Sequence, residues 1–424
     1  MLDLAIRLAE VLFSSGAGAA DATAAMTAIA GAYGVRNVDS DVTHTVLSLT
    51  WTNPGTYESV SRRQTIAARG MDFARLAAAS TLFEEIVDGK IELDAARRHL
   101  ARVASHKPQA SRLVLRLGWS LIGGGAALLV GGDVLVAAVA FVAAFALESI
   151  TSLMAGRRAP VFFQSVVGGV IGPIAAVVVH LVQPHESARL VVVATIIVLL
   201  AGTAIFGGVQ DILSGFYLTG LARLTEALVI TIGIAAGVIG ATLVFSGLGL
   251  SLDVMSSNTR IGGPPAVTIA AAVVIVIGFA LATQVPWRAL WAVCLLGAVA
   301  EALYLVCAAN AFGPVWSSAI AALAVGMLAS ILAQLSRTPV LALVITGLVP
   351  LLPGLVLFNA LMQLASGSVA GLFAALVSAA VAAALAAGAI AGQYVTQASW
   401  RNMSRGTRRV RGPLLSIASR RRKI

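Results

Sequence analysis

Ala201-Gly202-Thr203-Ala204-Ile205-Phe206-Gly207-Gly208-Val209-Gln210-Asp211-Ile212-Leu213-Ser214-Gly215 has a counterpart further along the chain, Pro353-Gly354-Leu355-Val356-Leu357-Phe358-Asn359-Ala360-Leu361-Met362-Gln363-Leu364-Ala365-Ser366-Gly367. Both segments open on a small-residue turn and close on Ser-Gly, at a gap-free offset of 152 (354 − 202). The flanking hydropathy keeps the same register, so the last three quarters of the chain read as two copies of one unit. Each unit holds five apolar spans. An odd number of crossings forces the second copy to enter the membrane from the opposite side, which predicts an inverted-topology repeat of the kind used by secondary transporters.

Composition agrees with a membrane location. The 424 residues are 58% hydrophobic and only 11% charged, with mean hydropathy +0.92, whereas about a quarter of a soluble domain is charged. The expected fold class is therefore a polytopic α-helical membrane protein, with about ten transmembrane helices in two five-helix inverted repeats, preceded by a small soluble α+β domain. The net charge of +10 does not point to nucleic acid. The basic residues sit at the ends of apolar spans and in the tail from Arg401 to Lys423, not in a stripe interleaved with aromatics, and so read as topology signals. Cys294 and Cys307 share one apolar span and have no metal-ligand spacing, so no metal site, disulfide or cofactor is expected.

Residues 1–112 are set apart by their pattern. Leu4, Leu8, Val11 and Leu12 mark one helical face, and Ala22, Met26, Ile29, Ala30 and Tyr33 another. Asp3, Arg7 and Glu10 fall where a signal peptide would be apolar. The Val- and Thr-rich run from Val38 to Trp51 predicts a strand, Asn53-Pro54-Gly55 a turn, and Tyr57–Arg63 a second strand. Helical stripes follow at Phe73, Leu76, Ser80, Phe83 and Val87, and at Leu93, Ala96, Leu100 and Val103, ending before Lys107-Pro108.

Measured against the ~20 residues that cross about 30 Å of hydrocarbon, the spans fall at 117–132, 134–154, 161–182, 188–206, 213–245 with a broken start, 265–284, 287–307, 312–335, 339–362 and 368–393. The expected division is a cytoplasmic domain 1–112, a first repeat 113–245, a second repeat 265–393 and a basic cytoplasmic tail 394–424. Arg112, Arg116, Arg157, Arg158, Arg223, Arg288, Arg337 and the tail lie on one side, and Arg189 and Arg260 on the other. The positive-inside rule then puts both termini in the cytoplasm. Small-residue spacings such as Gly168-x-x-x-Gly172 and Gly233-x-x-x-Gly237 read as close helix packing.

Ionisable groups inside spans are costly, about 2.5–3.5 kcal/mol each, and so are functional candidates. Glu148, Asp211 and Glu301 are the candidates for proton coupling. Asp211 comes first, because it combines an acid, a broken helix and a repeat-equivalent polar partner, Gln363. Glu301 falls, under the offset, one position from Glu148. The competing readings are structural: Glu148 pairs with Arg157 or Arg158 near a helix end, and Glu226 pairs with Arg223 three residues before it. Broken helices free backbone groups that are tolerated only beside a cavity. Gly202, Gly354, Gln210, Asn359 and Gln363 are therefore the candidates for substrate binding, with helix N-termini meeting a carboxylate. Kinks that serve only packing are the alternative for these breaks. A hydrolase reading would take His44 as a base, while His99, His180 and His185 read as surface or interface groups. The chain has no Gly-x-x-x-x-Gly-Lys-Ser/Thr motif for an ATP-driven pump.

Taken in order, Leu12-Phe13-Ser14-Ser15-Gly16-Ala17, Ala30-Gly31-Ala32-Tyr33-Gly34, Asp211-Ile212-Leu213-Ser214-Gly215, Gly220-Leu221-Ala222-Arg223, Glu226-Ala227 and Pro350-Leu351-Leu352-Pro353-Gly354 resemble the threonine/serine exporter family (ThrE type) over essentially the whole chain. The resemblance implies export of small hydroxylated amino acids across the bacterial inner membrane, driven by the proton motive force. The partners expected are an amino-acid substrate, protons and membrane lipid, with a homo-oligomer left open. The alternatives are a membrane-tethered hydrolase with a transporter-like anchor, and a channel or structural membrane protein.

Overall fold

The computed structural model describes residues 1–66, 69–105, 110–183, 188–200, 202–250 and 263–403, with side chains to 396 other than that of residue 188. Lys107-Pro108, His185, Arg260 and the tail beyond 403 lie outside the described residues.

The N-terminal unit is built from α1 (Leu2–Ser14), α2 (Ala19–Ala32), three strands, α3 (Phe73–Val87) and α4 (Leu93–Ala104). Where one strand was expected from Val38 to Trp51, the chain forms a hairpin: β1 (Val38–Val42) and β2 (Val46–Thr52) pair antiparallel with Val42 opposite Leu47. The Val/Thr content is uniform along this run, so only the turn at Thr43–Thr45 divides it. β3 (Ser59–Thr65) follows the Asn53-Pro54-Gly55 turn, in which the Gly55 N–H donates to Asn53 Oδ1 at 2.9 Å. Leu47 and Leu49 of β2 point to the buried side, against α1.

The apolar helices are α5 (Arg112–Leu129), α6 (Val134–Gly156), α7 (Val161–Val182), α8 (Ala188–Ile196), α9 (Gly202–Leu213), α10 (Tyr217–Gly247), α11 (Pro265–Ala282), α12 (Leu290–Ala309, preceded by a 3-10 turn at Trp287–Ala289), α13 (Pro314–Ser336), α14 (Val340–Leu348), α15 (Gly354–Ala365) and α16 (Ala370–Met403). Among the described residues, eight stretches are single helices long and apolar enough to cross a membrane. The 42° bent pair formed by α14, its 3-10 turn and α15 makes up to nine. The fourth expected span corresponds to α8 and α9, each too short alone, with residue 201 between them outside the description. The broken start expected for the fifth span is the turn at Ser214–Phe216, which separates the end of α9 at Leu213 from the start of α10 at Tyr217; a further break precedes α9.

The element bounds carry the sequence offset. α14 and α15 repeat α8 and α9 at 152 residues at both ends. Starting positions 112, 134, 161 and 217 return 153 residues later at 265, 287, 314 and 370. Contacts pair in the same way: α7 packs on α10 as α13 packs on α16, and α9 touches α16 as α15 touches α10. Glycine makes these approaches possible. A Cβ on Gly118 would stand 2.7 Å from Gly278 O, where α5 meets α11.

The N-terminal unit is bonded to this bundle. Phe73 N–H at the start of α3 donates to Thr283 O at 2.9 Å, Thr219 Oγ1 of α10 donates to Val42 O at 3.3 Å, and the Phe73 and Phe279 rings lie 6.5 Å apart. At 1.5 Å per residue the 31 residues of α10 extend about 46 Å, more than the hydrocarbon thickness. Its first turns are the part that meets the N-terminal unit.

Candidate functional site

The two broken helices cross at their breaks. In the second half, α14 gives way to a 3-10 turn containing Pro350, then to extended Leu352 and to Pro353 at the start of α15. Two prolines within four residues remove backbone donors and prevent a continuous helix. In the first half, Gly202 opens α9 against the same point. A Cβ on Gly202 would lie 2.9 Å from Leu352 Cβ, and one on Gly354 2.9 Å from Leu200 Cβ and 3.3 Å from Gly202 N. Larger residues at either position would separate the helices. Each 12-residue helix begins here with first-turn N–H groups that have no intrahelical acceptor, and with the positive end of its dipole.

A cavity of about 750 Å³ opens at this crossing and runs to the N-terminal unit. That volume falls in the range of about 300–1,000 Å³ typical of small-molecule sites. Gly202, Gly354, Gln210 and Glu301 line it. Glu301, about midway along α12, is 4% exposed and forms no ion pair or hydrogen bond among the described residues. Tyr304 and Ser318 line the same wall.

At the end nearest the N-terminal unit the walls are charged. Asp211, 1% exposed, accepts from Ala19 N–H through Oδ1 at 2.9 Å and faces Arg223 Nη1 through Oδ2 at 2.9 Å. Ala19 is the first residue of α2, whose N-cap is Gly18. Glycine has no side-chain oxygen, so a carboxylate 192 residues away does the capping. Arg69, after β3, donates from Nη2 to Ala17 O at 3.2 Å and lies 3.7 Å above the Phe13 ring. Burial lowers its guanidinium to about 10, against the upward pull of Asp211 and Glu226, and it stays charged at cellular pH. His44 Nε2 is 3.9 Å from Glu226 Oε2. Burial first, and then Arg69, pushes the imidazole below its ordinary value, with Glu226 pulling the other way.

The expected site residues are thus only partly assembled. Gly202, Gly354, Gln210 and Glu301 share the cavity, while Asp211 lies buried beside its charged end. Asn359 and Gln363 are on α15 but outside the cavity lining, and Glu148 on α6 is half-buried and also outside it. Asp211 and Gln363 do not lie at the breaks: each is nine residues beyond its helix-opening glycine, about 13 Å along the axis. The Glu148 pairing with Arg157 or Arg158 is not formed among the described residues. The expected pair of Arg223 with Glu226 is replaced by Arg223 with Asp211, because Gly215 (φ +91°) folds α10 back onto α9. Sequence reasoning did not single out Arg69. Its only local signal is a lone basic residue between a strand and an N-capped helix.

Comparison with known proteins covers nearly the whole chain. A family model described as "Putative threonine/serine exporter" matches residues 3–245, and a second, "Threonine/Serine exporter, ThrE", matches residues 268–395. The "Probable threonine/serine exporter" of Mycobacterium tuberculosis (strain ATCC 25618 / H37Rv) is 30% identical over 371 residues, 86% of this chain and 70% of that protein. The "Threonine/serine exporter" of Corynebacterium glutamicum is 29% identical over 376 residues, 85% of this chain and 75% of that protein. No solved structure matches.

Proposed function

Because the chain belongs to the threonine/serine exporter family, we propose that it is a secondary transporter that moves threonine, serine or similar small amino acids out of the bacterial cytoplasm by proton antiport. The family is one of exporters, not of enzymes, so the hydrolase alternative is set aside. The observation that carries the proposal is the crossing of two broken helices at Gly202 and Gly354 on the wall of one cavity. There the substrate carboxylate meets the N-termini of α9 and α15, and its small side chain faces the apolar wall.

The architecture we propose has ten crossings, with α8 and α9 forming the fourth, in two inverted five-helix repeats, 113–245 and 265–393. The N-terminal unit, 1–112, lies in the cytoplasm with the tail. The paired element offsets of 152 and 153 residues support this arrangement, as does the basic bias of the loops.

For coupling we rank Glu301 first. It lines the cavity, is buried, and has no other partner among the described residues. A proton carrier must alternate between charged and neutral forms, which an unpaired buried acid can do. Asp211 is occupied by Arg223 and Ala19, and Glu148 does not line the cavity. The test is counterflow and pH-driven export of labelled threonine in proteoliposomes. Glu301→Gln should lose uphill export driven by a pH gradient while keeping exchange at equal pH. Unchanged gradient dependence in that variant removes Glu301 from the mechanism, and absence of threonine counterflow in the wild type removes the transport assignment.

A further inference from the structure

We propose that Arg69 and Glu226 form a loading site for an α-amino-acid zwitterion at the N-terminal-unit end of the cavity, Arg69 taking the carboxylate and Glu226 the ammonium. The proposal rests on the exporter reading and extends it. It makes the N-terminal unit part of the transport path and gives it a share in selecting substrate.

Arg69 is built as a receptor. Its guanidinium is fixed at one nitrogen by Ala17 O, 3.2 Å away, and on one face by the Phe13 ring at 3.7 Å. Nη1, held in the same rigid plane, is buried without a hydrogen-bond partner among the described residues, on a residue that lines the cavity. A buried charged donor left unmatched is costly. A carboxylate arriving through the cavity supplies the missing acceptor in the geometry that a guanidinium favours.

The neighbouring acids divide the remaining work. Asp211 accepts from Ala19 N–H through Oδ1 and is held in an ion pair with Arg223 at Oδ2, which makes no hydrogen bond among the described residues. Glu226, three residues beyond Arg223 on α10, also lines the cavity, and its side chain is 49% exposed. Among the described residues its one basic neighbour within 4.0 Å is His44, 3.9 Å away, an imidazole held toward its neutral form by burial. Glu226 and Arg69 are within electrostatic reach of each other, yet no contact of 4.0 Å or less joins them. A positive and a negative group thus face one cavity without closing on each other. A zwitterion satisfies both, whereas an amine or a hydroxy acid leaves one of them unpaired, the arrangement from which polar sites draw their discrimination.

The test is competition against labelled threonine counterflow by threoninol, which lacks the carboxylate, and by 2,3-dihydroxybutyrate, which lacks the ammonium. Wild-type protein should prefer threonine to both. Arg69→Gln should raise the half-saturating threonine concentration about tenfold or more, the loss of one charge-assisted bond, and leave that for threoninol unchanged, so that this preference narrows by the same factor. Glu226→Gln should collapse the preference over 2,3-dihydroxybutyrate instead. Because Arg69 also braces Phe13, the Glu226 arm decides if Arg69→Gln protein does not fold. Retention of both wild-type preferences, or an equal loss toward both analogues in either variant, overturns the loading site and leaves the exporter reading standing. A wild type without threonine counterflow overturns the exporter reading and this site with it.

Discussion

Asp211→Asn separates a structural carboxylate from a proton-carrying one. Asp211 and Arg223 lie 2.9 Å apart, with side chains 2% and 12% exposed. At an effective dielectric constant of ~20 their attraction is about 6 kcal/mol, much of it offset by the desolvation of both groups. Removing one partner strands the other charge, which costs about 3–5 kcal/mol. Asparagine keeps an acceptor for Ala19 N–H, so the cap on α2 survives. Asp211→Ala loses that as well and should be about 1 kcal/mol worse. Thermal melting of the detergent-purified protein should rank the wild type above Asp211→Asn and Asp211→Ala lowest, with Arg223→Gln also destabilised. The double variant Asp211→Asn/Arg223→Gln should be milder than the sum of its parts, since no lone charge remains. If Asp211→Asn melts like the wild type while uphill export loses its dependence on the pH gradient, Asp211 carries the proton and the structural reasoning fails.

Ser214 and Ser366 are equivalent positions in the two copies. With Cys294 and Cys307 replaced, a cysteine at Ser366 should react with an impermeant reagent from outside and one at Ser214 should not; labelling from the same side rules out inversion of the repeats. Gly354→Val should abolish transport, since even its Cβ would stand 2.9 Å from Leu200 Cβ where α9 and α15 cross; wild-type counterflow in well-folded protein would show that the crossing has room to spare. Burial raises Glu84 of α3 to about 7, with Asp88 adding to the shift and Lys90 opposing it. A carboxyl raised on folding favours the folded state fully below its unfolded value near 4.5, and that favour is lost as pH rises through about 7. Glu84→Gln should therefore flatten the fall in melting temperature between these pH values, and an unchanged profile would assign that fall to other groups.

Much of this architecture is legible in the sequence because helix breaks and hydropathy are local. Gly202, Pro353 and Gly354 announce the two broken helices, and their shared spacing announces the repeat. Phe73–Val87 and Leu93–Ala104 emerge from helical periodicity alone. What could not be read depends on the chain folding back. The i, i+3 rule joins Arg223 to Glu226 on one helix, but Gly215 turns α10 onto α9 and brings a more deeply buried acid within reach of the same guanidinium. The link between Asp211 and Ala19 spans 192 residues and leaves no periodic trace. Arg69 has meaning only once Ala17, Phe13 and the cavity are around it.

Asp211 ties the far end of α9 to the first residue of α2, while Gln363, its equivalent on α15, has no such attachment among the described residues. The two short helices are therefore alike in length and register but not in load. Any movement of α9 relative to the bundle would carry α2 with it or break a charge-assisted bond, a constraint that α15 does not share. An internally repeated protein with equal halves would open to either face at equal cost. Here one half is ballasted, and a sensor placed on the N-terminal unit would report the tilt of α9.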